Sequence, residues 1–456
     1  MSRIVPRRTR SGLNTSAAVL ITVAVVMMLA WGEQVGTLPA HASDSPIQHV
    51  VVIFQENHSF DNVLGQLCIQ DSRCNGADTG QVATGETIPL SRAKDIVAQS
   101  PHGFMAEALA IDGGKMDGFS NYPQCSEARG YKCYTQYYPD QIPNLAALAR
   151  AFVISDNTFE LRKVASYPSH IEIVSASTAG YIGGVTKGQG TFHGGGWGCD
   201  SWKDAQWKPL TGGPESLQPA CVPDQNGNGP YRPSLVQYQP TIMDRLDAAG
   251  LSWHIYSPQH HDPGYNWSIC PVYAECLYGP QFANMREPTD VLTDAAAGTL
   301  PTFSVVVPFP ADSQHNKYSM TEGDNWIGSV VSAIEDGPDW DTTAIFITYD
   351  DCGCFYDHVP PPGKFGIRTP MVIVSPFAKP GYTDSTLASY ASILAFTEHT
   401  FDLDPLNADD AAAYDYTNSF DFTQTPNLPV RMVKTPVPNW ELDYIAAHPG
   451  DPNDPT

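Results

Sequence analysis

Two short apolar segments of this 456-residue chain run directly into side chains able to bind a hard cation. His49-Val-Val-Val-Ile-Phe54 leads into Gln55-Glu56-Asn57-His58-Ser59-Phe60-Asp61, and Thr343-Ala-Ile-Phe-Ile-Thr-Tyr349 leads into Asp350-Asp351. Glu56, Asp350 and Asp351 offer carboxylate oxygens and Asn57 an amide oxygen, a donor set suited to a divalent cation. A cation held there would activate an oxygen nucleophile or polarise an ester. Pro168-Ser169-His170, after the basic Arg162-Lys163, supplies a candidate nucleophile. Ser169 reads as a turn residue whose hydroxyl needs a metal or a base to ionise it. Candidate proton donors are His102 in Pro101-His102-Gly103, His315 at the end of Pro310-Ala-Asp-Ser-Gln-His315, and His358 in Asp357-His358-Val-Pro-Pro-Pro362. A single histidine is ordinarily structural. Several of them with several carboxylates, clustered after strand-like runs, point to a site.

The elements that must position these groups follow an α/β pattern. The two opening runs are short and β-branched, as buried strands are. Phe152 to Asp156, Leu251 to Tyr256, Thr302 to Val307 and Met371 to Ser375 read as further strands. Residues 143–151, 240–249 (stopped by Gly250), Trp326 to Ile334 and Tyr390 to Phe401 read as helices. Such alternation predicts a mostly parallel central sheet with helices on both faces. In such sheets ligands bind beyond the carboxyl ends of the strands, where Glu56-Asn57, Asp350-Asp351 and His315 fall. Residues 180–235 are rich in Gly, Pro and Trp and read as a loop-rich insertion or cap. Residues 426–456 are rich in Pro and Asp and read as a surface tail. Asp224-Gln-Asn-Gly-Asn-Gly229 echoes the start of a calcium loop, but Leu235 stands where the closing acid belongs, so it reads as a turn. The aromatic stretch Tyr131 to Tyr138 reads as packing, with choline or acyl contact as the alternative.

The N-terminus carries Arg3, Arg7, Arg8 and Arg10, then an apolar stretch from Ala17 to Trp31, then Ala40-His41-Ala42. That order is a secretory signal peptide over residues 1–42, and Arg7-Arg8 would allow twin-arginine export. The apolar stretch falls short of the ~20 residues of a membrane span. The formal net charge is −24, and removing residues 1–42 makes the chain more acidic still. An acidic chain of this kind excludes duplex nucleic acid as a partner and disfavours simple docking to anionic membranes. Ten cysteines fall in close pairs: 68/74, 125/133, 199/221, 270/276 and 352/354. In an exported chain these predict local disulfides, except that Cys352-Gly353-Cys354 is as readily two thiols as one very tight ring.

Several of these segments in order resemble the bacterial phosphoesterase family of secreted phospholipases C and acid phosphatases, within the alkaline phosphatase-like superfamily. The resemblance spans about residues 47 to 405. It is carried by Val51-Val52-Ile53-Phe54-Gln55-Glu56-Asn57-His58-Ser59-Phe60-Asp61, Gly114-Lys115-Met116-Asp117-Gly118-Phe119 and Ser313-Gln314-His315. It continues in Gly323-Asp324-Asn325-Trp326-Ile327, Ile347-Thr348-Tyr349-Asp350-Asp351 and Phe355-Tyr356-Asp357-His358-Val359-Pro360-Pro361. The resemblance implies that Glu56, Asn57, Asp350 and Asp351 hold a divalent metal ion and that Ser169 is both ligand and nucleophile. It implies that His102 and His315, with His260 or His261 and His358, contact phosphate or move protons. The chain departs from the family at His58 (usually Arg), at Asp351 (usually Glu) and at Cys352-Gly353-Cys354 (usually Trp-Gly-Gly). The expected activity is hydrolysis of phosphate esters, of phospholipase C or acid phosphatase type, through a phosphoseryl intermediate. A non-catalytic extracellular binding protein on the same fold is the alternative.

Overall fold

The computed structural model describes residues 45–186 and 195–449, and the expected signal peptide lies outside them. Eight strands form the central sheet: β1 (His49–Gln55), β2 (Val153–Ser155), β3 (Trp253–Tyr256), β4 (Met285–Arg286), β5 (Phe303–Val306), β6 (Thr343–Tyr349), β7 (Met371–Val374) and β8 (Thr383–Asp384). Their order is β4-β3-β5-β1-β6-β7-β2-β8, with β7 antiparallel to both neighbours and every other pairing parallel. β1 and β6 lie near the middle and are buried on both faces, which is why they read as unbroken apolar runs.

Six helices matter for the site: α1 (Phe104–Ile111), α2 (Pro143–Ala151), α3 (Ser166–Ser175), α4 (Ile242–Ala249), α5 (Met320–Glu335) and α6 (Tyr390–Phe401). Successive side chains of a strand point to opposite faces. Phe54 meets the rings of His170 on α3 and Tyr390 on α6, whereas Gln55 donates to the carbonyl of Gly323 on α5. Helices therefore cover both faces, as the alternation predicts. α2 and α6 have the expected bounds, and α5 begins six residues before the expected Trp326 because Ser319 caps it, accepting the N–H of Glu322 at 3.0 Å.

Two expectations are corrected here. Pro168-Ser169-His170 is not a turn but part of the first turn of α3, where proline's missing N–H costs nothing. The stretch expected to be loop-rich contains an antiparallel sheet of Tyr181–Val185, Asp204–Trp207 and Ser216–Pro219. Asp224 does close a turn, accepting the N–H groups of Asn226 and Asn228 at 2.8 Å each. Tyr134 and Tyr137 are buried, and Tyr134 stacks on Tyr356, so the aromatic stretch packs inward. Segment 426–449 is pinned to the body where the backbone of Val433 and Thr435 bonds to the amides of Asn144 and Asn325. Disulfides join Cys68–Cys74, Cys125–Cys133, Cys199–Cys221 and Cys270–Cys276, whereas Cys352 and Cys354 are buried thiols. Among the described residues no helix is long and apolar enough to cross a membrane.

Candidate active site

β1 and β6 pair in register from His49 with Thr343 to Gln55 with Tyr349, so their ends are level. Glu56 and Asp350 leave the sheet side by side, and the Asp350 N–H still donates to the Gln55 carbonyl at 2.9 Å. Asn57 then adopts φ 60°, a left-handed conformation that asparagine tolerates better than most residues. The turn aims its N–H at Oδ1 of Asp350 (2.7 Å) and its Nδ2 at Oε2 of Glu56 (2.9 Å). Gly353 closes the other side at φ 50°, where a Cβ would lie 2.0 Å from the Asn57 carbonyl oxygen. Its N–H donates to Oδ1 of Asp351 at 2.7 Å. The glycine between the two cysteines is thus a close-approach residue that fixes one oxygen of Asp351.

α3 brings the third set of groups. Its first residue, Ser166, donates its hydroxyl to Oδ2 of Asp351 at 2.8 Å. One turn on, Nδ1 of His170 lies 2.8 Å from the Ser166 carbonyl, which can only accept, so Nδ1 carries the proton. The lone pair of Nε2 then faces Oε1 of Glu56 at 3.2 Å, acceptor against acceptor. Ser169 is a neighbour of Ser166 on the helix surface by its i+3 spacing. It is fully buried, and its hydroxyl has no hydrogen-bond partner among the described residues. His102 approaches from the loop before α1. Its side chain is buried, Nδ1 donates to the Ser100 carbonyl at 2.9 Å, and Nε2 lies 4.0 Å from Oδ2 of Asp351.

Glu56, Asp350 and Asp351 are completely buried. Burial and the charge of Asp351 push the Asp350 carboxyl up to about 6, and burial takes Asp351 to about 7. Glu56 is raised well above the usual carboxylate range, by burial first and then by Asp350 and Asp351. Burial holds His170 below its ordinary value. Oε1 of Glu56, Oδ1 of Asn57, Oδ2 of Asp350 and Nε2 of His170 all lack a hydrogen-bond partner among the described residues. One ligand atom each from Glu56, His170 and Asp350 lies within 4.8 Å of the others. Buried acceptors that repel one another and have no donor are costly unless something positive joins them. The set fits a divalent cation, with carboxylate, amide and imidazole donors available.

The remaining candidates lie at varied distances from this cluster. His315 is buried after β5, with Nδ1 bonded to the Asn316 carbonyl at 2.7 Å and its ring against Trp267. His260 and His261 sit exposed on the loop after β3, ring to ring, and His260 also meets Tyr265. His358 belongs to a different network: Nδ1 is 2.5 Å from Oδ2 of Asp61 and Nε2 is 3.0 Å from Oδ1 of Asn75. There Asp61 and Asp357 share the buried Arg368 guanidinium at 3.1 Å each. His58 bonds through both ring nitrogens, to Asn62 and to the Gln314 carbonyl, and burial lowers it to about 4, so it is a neutral packing residue.

Sequence reasoning missed Ser166 and His170. A usable signal was present for the first: proline favours the first turn of a helix, so Pro168 puts Ser166 at a helix start.

The model of the Phosphoesterase family matches residues 47–404. The chain belongs to that family. Among the relatives of this phosphoesterase-family chain, non-specific phospholipase C1 of Arabidopsis thaliana is 26% identical, over 74% of this chain and 58% of its own. Phospholipase C A of Mycobacterium tuberculosis is 24% identical, over 91% of this chain and 84% of its own. The chain thus spans little more than half the length of the plant relative. A solved protein of the alkaline phosphatase superfamily from Vibrio parahaemolyticus is 11% identical, covering 81% of this chain and 69% of its own, with a TM-score of 0.39.

Proposed function

We propose that this protein hydrolyses phosphoric esters, phospholipids foremost, by transferring the phosphoryl group to Ser166 beside a bound divalent cation. The observation that carries this is the 2.8 Å hydrogen bond from Ser166 to Asp351 at the start of a ten-residue helix. The first N–H groups of a helix lack intrahelical acceptors and favour anionic oxygens, so a phosphoryl group on Ser166 would sit where such donors converge. Ser166 bonds to Asp351 whereas the Ser169 hydroxyl has no partner among the described residues, which favours Ser166 over it as nucleophile.

Glu56, Asn57 and Asp350, with His170, would hold the cation, and Asp351 would complete the set from the Ser166 side. The cation would supply Lewis acidity, easing ionisation of the serine and neutralising charge on the non-bridging oxygens. As Ser166 Oγ bonds to phosphorus, its proton passes to Oδ2 of Asp351. The phosphorus–oxygen bond to the leaving group breaks, and that oxygen takes the Nε2 proton of His102 or His315 in its imidazolium form, the Nδ1 proton staying bonded to the Ser100 or Asn316 carbonyl. Water then cleaves the phosphoseryl bond and frees the serine. His260, His261 and His358 are assigned no step. The phospholipase C relatives favour a phospholipid over a small monoester. The complete donor set speaks against a non-catalytic binding protein. Four disulfides and the N-terminal apolar stretch support export.

The test is turnover of p-nitrophenyl phosphate and of phosphatidylcholine by purified, metal-replete protein, with Ser166→Ala and Asp350→Ala as controls. Release of diacylglycerol that both variants abolish is expected. Absence of hydrolysis of any monoester, diester or phospholipid overturns the proposal.

A further inference from the structure

Every group assigned to the chemistry is buried, so a substrate must reach Ser166 from a neighbouring opening. A groove of about 550 Å³ lies beside it, between the start of α1 and the strand Tyr181–Val185. Its lining includes His102 and Ala165, the residue immediately before Ser166. The inner end of the groove thus stops one residue short of Ser166. Away from that end Phe104, Met105 and Ala106 form one apolar wall and Ile182 and Val185 the other, the Gln206 side chain lies over Gly183, and Thr186 and Glu215 are the remaining polar lining residues. Gly103, at φ 109°, lets α1 start close against Ala165 and so sets the width of the inner end. Met105 is 74% exposed and Leu109, one turn along the same helix face, is 44% exposed. Among the described residues neither side chain joins a hydrophobic cluster.

We propose that this groove holds the acyl chains of the lipid whose phosphoester reaches Ser166, with Met105 and Leu109 as its apolar lip. The inference rests on the phosphoesterase reading above and adds the part of the substrate that is recognised. Phe104, Met105, Ala106, Ile182 and Val185 offer an ester substituent no side-chain hydrogen-bond partner, and each methylene seated among them leaves water. Selectivity for long-chain lipids over small phosphoesters then arises here and not at the cation.

The experiment compares kcat/KM for phosphatidylcholines with two butanoyl, hexanoyl or octanoyl chains, all kept monomeric, against p-nitrophenyl phosphate. Wild type, Ile182→Asp and Met105→Asp are measured; Met105 is exposed enough that its change cannot unfold the protein. The expected result is a rise of up to about fourfold per buried methylene in the wild type. Each variant should lose roughly tenfold or more on the octanoyl lipid with p-nitrophenyl phosphate turnover unchanged. Chain-length-independent kcat/KM, or equal losses on both substrates, overturns the groove assignment while leaving the phosphoesterase reading standing. No turnover of any substrate by wild type overturns that reading and this one with it.

Discussion

The hydroxyl of Ser166 donates to Oδ2 of Asp351 at 2.8 Å, across a gap between the first turn of α3 and the loop after β6. Oδ1 of the same carboxylate is held by the Gly353 N–H, so Asp351 cannot swing away from the serine without breaking a second bond. This joins the proposed nucleophile to the strand ends that carry the proposed cation ligands, and it separates Ser166 from Ser169.

Ser166→Ala is expected to lower kcat by about 10³-fold or more, as removal of a nucleophile does. Ser169→Ala should fall well short of that, with most of its effect on the metal dependence. Steady-state kinetics on p-nitrophenyl phosphate at saturating metal decide it. The reverse ranking of the two variants would transfer the nucleophile to Ser169.

Chelation is expected to abolish activity and lower the unfolding temperature, because Glu56, Asp350 and Asp351 then repel one another with no cation among them. Adding back divalent ions should restore both. Asp350→Asn should weaken metal affinity by at least ~10–100-fold, the loss that follows even removal of a supporting residue. Titration calorimetry on chelated protein reads this directly, and equal affinity in the variant would remove Asp350 from the ligand set.

Cys352 and Cys354 are buried thiols with sulfurs 2.9 Å apart, and burial pushes both thiols up, so neither forms a reactive thiolate readily. Folded protein should therefore resist thiol reagents. Unfolded without reductant, it should release two thiols while the other eight cysteines stay bridged. A count of zero would mean that the Cys-Gly-Cys segment closes its own ring.

His358 carries a pH-dependent share of stability. Burial opposes its charge, but the hydrogen bond to Asp61 and the charges of Asp61 and Asp357 outweigh it and raise the imidazole above its ordinary value. A raised basic group stabilises fully below its unfolded value near about 6.5 and loses that contribution as pH climbs through the folded value. The unfolding midpoint should thus fall more steeply above about pH 6.5 in wild type than in His358→Asn. Parallel melting curves across that range would contradict the assignment.

The sheet and the acidic cluster at its strand ends were readable because β1 and β6 are β-branched runs with Glu56-Asn57 and Asp350-Asp351 directly after them, and both signals are local. Ser166 and His170 were not read because their partners, Asp351 and Glu56, are distant in sequence and only the packing of α3 against the strand ends joins them. Motif strength was also a poor guide to role. Asp324 caps α2, accepting the N–H groups of Asn144 and Leu145 at 2.9 Å each, and His358 serves the Arg368 cluster. Both lie in segments as distinctive as those of Glu56 or Asp350, and residue type alone does not tell a buried structural network from a catalytic one.

Ser166 is the residue proposed to accept the phosphoryl group. Acid quenching of metal-replete enzyme during turnover, followed by protease digestion and mass spectrometry, tests it most directly. One phosphoryl group on Ser166 from p-nitrophenyl phosphate, or one phosphocholine group from phosphatidylcholine, absent from Ser166→Ala and from enzyme quenched without substrate, is the predicted result. Phosphorylation at Ser169, or product formation with no phosphorylated peptide at the earliest quench times, would contradict it.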